Sequence, residues 1–137
     1  FILHKEKSLF TYLFSTFERK QFIPGYGAFW YGLGILFCFV FLTDYKEIIV
    51  TIIALGIGDA YSTIIGRKGK IPNPLNSNKT LEGTLAFFSI TILLSYPFIG
   101  PLAFLFALFT SICEALPLKL DDNFVIPVAS VIFFLII

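Results

Sequence analysis

The chain has 137 residues, 57% of them hydrophobic and 18% aromatic, with a mean hydropathy of +0.87 and a net charge of +1. Charged residues make up 14%, against roughly a quarter in a soluble domain. These values exclude an ordinary water-soluble globule and a basic nucleic-acid binder; they predict an all-α integral membrane protein whose core forms between helices in lipid.

Residues 1–23 place Ile2, Leu3, Leu9, Phe10, Leu13, Phe14 and Phe17 mostly three and four apart, with Lys5, Lys7, Arg19 and Lys20 between them. That pattern predicts an amphipathic helix at the membrane surface or at the end of an earlier span. Residues 24–43 supply the ~20 apolar residues that a membrane-crossing helix needs. Trp30 and Tyr31 lie near one end, where interfacial aromatics gather. Further spans are predicted at about 47–66, 81–98, 102–116 and 124–137. Gly100-Pro101 breaks the chain between two of them, and Pro117 closes another. The result is about five transmembrane helices in one helical domain, 1–137.

The chain starts at Phe1, contains no methionine and ends in an apolar run. It is expected to lack its natural N-terminus and one or more helices ahead of residue 1. Cys38 and Cys113 both sit in apolar runs near opposite bilayer faces and read as free thiols.

The loop 67–80 carries Arg67, Lys68, Lys70 and Lys79, whereas the loops 43–47 and 98–101 hold only Lys46 between them. Basic loops face the cytoplasm. The N-terminal segment and the loops 67–80 and 117–123 are therefore predicted on the cytoplasmic side, together with Asp59, Glu82, Glu114, Asp121 and Asp122.

Asp59 lies seven residues before Gly66, about 10 Å inside its helix end. Acids at such depth are costly, face the bundle interior and mark functional sites by default. Gly56, Ala60, Ser62, Thr63 and Gly66 are all small or polar, while Ile57, Ile64 and Ile65 point elsewhere. The bland alternative is a structural acid bonded to a neighbouring helix at a close crossing.

In the loop, Gly- and Asn-rich backbone, Asn78 included, can present N–H groups to phosphate oxygens, and the basic side chains add charge. Thr80 can cap the third span, whose N-terminus is itself an anion site. Glu82 makes sense there if a divalent cation sits between carboxylates and phosphates, because Mg²⁺ takes one or two carboxylates plus phosphate oxygens. The bland alternative is a basic loop against acidic lipid headgroups. Glu114 repeats the Asp59 pattern, with Ala107, Thr110 and Ser111 on its side. Asp121, Asp122 and Asn123 either cap the next helix or bind metal on the same face.

Gly58-Asp59-Ala60, then Gly66-Arg67-Lys68-Gly69-Lys70, then Lys79-Thr80-Leu81-Glu82-Gly83-Thr84 resemble the pattern of the CTP-dependent lipid kinases. Glu114-Ala-Leu-Pro117 and Asp122-Asn123-Phe-Val-Ile-Pro127 look like that family's C-terminal pattern. The family includes dolichol kinase, phytol kinase and CTP-dependent diacylglycerol kinase, and is related to the phosphatidate cytidylyltransferases. The resemblance runs from about Arg19 to the end and lacks a basic N-terminal motif of the family.

The resemblance implies a multi-pass membrane enzyme that moves the γ-phosphate of CTP onto a lipid alcohol with Mg²⁺, an isoprenoid alcohol being favoured over diacylglycerol. In that chemistry Asp59 is the leading metal ligand, with Glu82 and Asp122 as weaker ones. Lys79 and Arg67 hold phosphates with Lys68, Lys70, Asn78, Thr80 and Asn123 assisting. Asp59, Glu114 and Asp122 are the candidate proton acceptors. The rivals are a CDP-lipid-forming cytidylyltransferase and a non-enzymatic transporter or scaffold. Transporter acids sit near the midplane between inverted repeats, whereas these gather at one face.

Overall fold

A computed structural model describes residues 25–137; the amphipathic helix expected over 1–23 lies outside the described residues. Five helices follow one another: α1 (Tyr26–Phe41), α2 (Tyr45–Gly66), α3 (Leu81–Ile99), α4 (Leu102–Ala115) and α5 (Asp122–Ile136). Among the described residues there is no strand, only an isolated antiparallel bridge between Pro72 and Thr80.

The helix ends follow local chemistry. Asp44 caps α2 by accepting the Lys46 N–H at 3.0 Å, and Asp121 caps α5 by accepting the Asn123 N–H at 2.9 Å. Gly100, at φ 59°, ends α3 in a conformation that glycine adopts without strain, and Pro101 precedes α4. Pro97 and Pro127 lie inside α3 and α5.

α2 is not uniform. A π-helical turn, Ile53–Gly58, separates the α-helical pieces Tyr45–Ile52 and Asp59–Gly66. Across it the Asp59 N–H reaches back five residues to the Ala54 carbonyl. Such turns widen a helix by one residue and often occur at functional sites. This one ends immediately before Asp59, and the nearly unbroken apolar run ahead of it gave no sign of it.

α3 packs between α2 and α4, α4 packs on α5, and α5 on α1. The core lies where α2 to α5 meet: Val50, Leu55, Phe87, Phe106, Ile126 and Phe133 are buried together. The Phe106 ring stacks on Phe134 at 5.3 Å and meets Phe133 edge-on at 5.5 Å. Close crossings need glycine. A Cβ on Gly34 of α1 would lie 2.6 Å from the Asn123 carbonyl oxygen and 2.7 Å from Pro127 Cγ on α5. The outer surface is apolar, with Leu36 60%, Leu93 66% and Leu135 64% exposed. Such a shell suits hydrocarbon rather than water.

α2 and α3, with 22 and 19 residues, are long and apolar enough to cross a membrane; α1, α4 and α5 are shorter apolar helices. The all-helical bundle with an apolar exterior is consistent with a helical membrane protein. Cys38 and Cys113 are free.

Candidate functional site

The turn from α2 to α3 is a self-contained hairpin. Asn73 donates its N–H to the Lys79 carbonyl and Leu81 donates to the Ile71 carbonyl, each at 2.9 Å. The tip closes on asparagine side chains: Asn73 Oδ1 accepts the Leu75 N–H at 2.9 Å, and Asn76 Oδ1 accepts the Asn78 N–H at 3.1 Å. The buried Asn73 amide also donates to Thr84 Oγ1 at 2.8 Å.

Two residues sew the hairpin to the helices. Thr80 accepts the Gly83 N–H at 3.3 Å as the α3 cap and donates its hydroxyl to the Gly66 carbonyl at 3.2 Å. Here α2 and α3 nearly touch, since a Cβ on Gly83 would fall 2.8 Å from the Ser62 carbonyl oxygen. Glu82 turns back on the loop and accepts the Lys70 N–H at 2.9 Å and the Ile71 N–H at 3.2 Å. The approach depends on Gly69, whose Cβ would sit 2.9 Å from Glu82 Oε2 and 2.6 Å from Thr80 Oγ1.

Two expectations change as a result. Glu82 stands apart from the other acids, because its carboxylate already serves the amides of the loop. The loop and α3 amides expected to cradle an anion are largely engaged too. The N–H groups of Arg67, Lys68 and Gly69 bond to α2 carbonyls, and those of Leu81 and Gly83 bond to Ile71 and Thr80. The exposed side chains of Arg67, Lys68 and Lys70 are what the loop offers to an anion.

The acids that do converge come from three helices. Asp59 begins the last two turns of α2, Glu114 lies in the last turn of α4, and Asp122 opens α5. One carboxylate oxygen from each lies within 4.8 Å of the other two. Asp59 and Asp122 are half-buried, and the Glu114 side chain is 3% exposed. Of the small residues around Asp59, Ser62 is buried against α3, Gly56, Thr63 and Gly66 are half-buried and Ala60 is exposed, while Ile57, Ile64 and Ile65 are exposed.

Lys79 reaches into this group from the loop end just before α3. Its ammonium donates to Glu114 Oε1 at 2.7 Å, to Asp122 Oδ2 at 3.0 Å and to the Glu114 main-chain carbonyl. Asp59 from within α2, Glu114 and Asp122 from the facing ends of α4 and α5, and Lys79 from just before α3 thus come together at one end of the bundle. Asn123, beside Asp122, donates its side-chain amide to the Gly27 carbonyl at 3.4 Å and ties α5 to α1. Asn78 is exposed at the hairpin tip. Trp30 packs against Phe124 at 5.2 Å, walling this end of the α1–α5 contact.

The donor set suits a hard divalent cation. Three carboxylate oxygens on separate rigid helices are the ligand type that Mg²⁺ takes, and softer donors are absent from the group. The sequence reading took Asp59, Glu82 and Asp122 as metal ligands and Glu114 only as a candidate proton acceptor; the geometry groups Glu114 with Asp59 and Asp122 and leaves Glu82 outside. The small residue Gly69, opposite Glu82, was the available signal that the carboxylate folds back.

No protein-family model and no solved structure matches the chain. An uncharacterised protein of Methanocaldococcus jannaschii is 33% identical over 111 residues, 80% of this chain and 58% of that protein. CTP-dependent diacylglycerol kinase 1 of Saccharomyces cerevisiae is 28% identical over 146 aligned positions, covering 84% of this chain and 50% of the kinase. Its namesake from Eremothecium gossypii is 29% identical, covering 84% and 45%. The chain spans about half the length of these curated relatives. The chain is thus distantly similar to part of the two CTP-dependent diacylglycerol kinases.

Proposed function

We propose that this chain forms the catalytic end of a membrane kinase that transfers the γ-phosphate of CTP to the hydroxyl of a lipid alcohol at the cytoplasmic face. The observation that carries the reading is the convergence of Asp59, Glu114 and Asp122 beside a basic loop at one end of an apolar-surfaced bundle. Distant kinship with proteins named as CTP-dependent diacylglycerol kinases supplies the nucleotide. The same names favour diacylglycerol as the alcohol over the isoprenoid alcohol that the sequence reading preferred.

Phosphoryl transfer demands chiefly positioning and neutralisation of charge. Asp59, Glu114 and Asp122 would hold Mg²⁺, which when bound neutralises phosphate charge. Arg67, Lys68 and Lys70 would draw the triphosphate to the loop, and Glu82 would hold that loop in place. The lipid would enter sideways from the bilayer, so that its hydroxyl meets the nucleotide at the polar end. Its oxygen would form the new bond to the γ-phosphorus as the bond to CDP breaks. The hydroxyl proton would pass to one of the acids, for which Asp59, Glu114 and Asp122 remain the candidates.

The test is CTP labelled separately on the γ-phosphate and on cytosine, given to the protein in bilayers containing diacylglycerol or a polyprenol. Label from the γ-phosphate alone in the lipid supports the kinase, and the better lipid identifies the alcohol. Cytosine label in the lipid would instead identify a cytidylyltransferase. Solute flux with no nucleotide-dependent lipid product would identify a transporter.

A further inference from the structure

We infer that Lys79 is a built-in stand-in for the divalent cation, and that metal entry hands the Glu114 and Asp122 oxygens from its ammonium to the ion, freeing Lys79 to hold the nucleotide phosphate. The inference rests on the metal reading above and concerns what this lysine does in that same site.

An ammonium has three N–H donors. In this structure three acceptors take them: Glu114 Oε1, Asp122 Oδ2 and the Glu114 carbonyl. In this arrangement Lys79 has nothing left to offer a phosphate, so its two roles exclude each other. The physical need for a stand-in is plain. The Glu114 side chain is 3% exposed and that of Asp122 is 16% exposed. A carboxylate so far from water is strongly penalised unless a cation lies beside it. Without an ion, Lys79 meets that need.

The anatomy suits a lysine that changes partners. Lys79 adjoins the Thr80 cap, so its backbone is pinned by the bond from Asn73 and by the start of α3. Only the flexible four-carbon stem has to move. The side chain is 22% exposed and stands at the loop end of the site, where Arg67, Lys68 and Lys70 are also exposed.

The experiment uses the wild-type protein in lipid nanodiscs without nucleotide. Mn²⁺ binding is followed by electron paramagnetic resonance. The reaction of each lysine with an amine-directed reagent is measured in the same samples by mass spectrometry. We expect Lys79 to be shielded without metal and its labelling to rise severalfold as Mn²⁺ saturates, with the exposed Lys68 and Lys70 as unchanged internal standards. Lys79→Met should bind Mn²⁺ roughly tenfold tighter or more, because a competing positive charge is gone. Saturating Mn²⁺ with Lys79 still shielded would overturn the exchange while leaving the metal site standing. No Mn²⁺ binding by either protein would overturn both the exchange and the metal reading on which it rests.

Discussion

Replacing Asp59 by asparagine keeps the side chain's size and removes its charge, so it tests chemistry more than packing. We expect Asp59→Asn to lower lipid phosphorylation by about a hundredfold or more, the scale of losing one preorganised electrostatic group. The protein should still reach the membrane and keep its helical circular dichroism; loss of both would make Asp59 a packing residue. Glu82 should behave differently. Glu82→Ala removes the acceptor of two loop amides, and we expect the KM for CTP to rise about threefold to tenfold with kcat little changed. A fall in kcat as deep as that of Asp59→Asn would return Glu82 to the metal site. The acids themselves were legible in the sequence, because an ionisable group in an apolar run stands out. Their gathering at one face was expected too; which of them meet, with Glu82 left outside, was not. Glu82 is only two residues from the cap, but its helical position turns it towards Gly69. Glu114 and Asp122 lie on either side of a helix-to-helix turn, and they meet Asp59 because α5 packs back against α2 while α4 packs on both α3 and α5.

At the level of elements, the glycines divide by what faces them. A Cβ on Gly34 would meet Asn123 and Pro127, and one on Gly58 would lie 2.8 Å from Thr91 Oγ1 and 3.1 Å from the Phe87 ring. Thr91 and Phe87 are fully buried and cannot step aside. Alanine at either glycine should cost about 1–3 kcal/mol by overpacking. Gly32, with nothing within 4 Å of its would-be Cβ, should accept alanine at no cost or with a gain of up to about 1 kcal/mol in helix propensity. Thermal unfolding in one detergent compares the three, and equal shifts would refute these helix contacts. Gly58→Ala should also reduce activity, since it disturbs the π turn that presents Asp59. The helices and their breaks were readable from apolar runs, Gly100-Pro101 and the capping residues, and the expected apolar segments start and end within two residues of the observed helices. The π turn was not readable, because residues 48–58 are almost continuously apolar and carry no stripe whose phase one extra residue would shift. The loop read as a phosphate cradle; it is instead a hairpin whose amides bond to its own asparagines, to Glu82 and to α2.

For the whole molecule, composition alone pointed to helices in lipid, and the apolar exterior around a small buried core agrees with it. What composition left open was which helices neighbour each other, and that alone decides that the polar groups form one site. Three acids, one ammonium inside the group and an exposed basic loop share one end of the bundle, and the outer surfaces offer hydrocarbon contact. The proposed function requires this end to carry out CTP-dependent phosphoryl transfer through Asp59 and its partners. The decisive experiment is the transfer of labelled γ-phosphate to diacylglycerol or polyprenol in bilayers, with CTP and with ATP, by wild type and by Asp59→Asn in parallel. We predict a labelled lipid formed from CTP in preference to ATP by the wild type, and almost none from the variant. Equal product from the variant, or no nucleotide-dependent lipid product from either protein, would contradict the proposal.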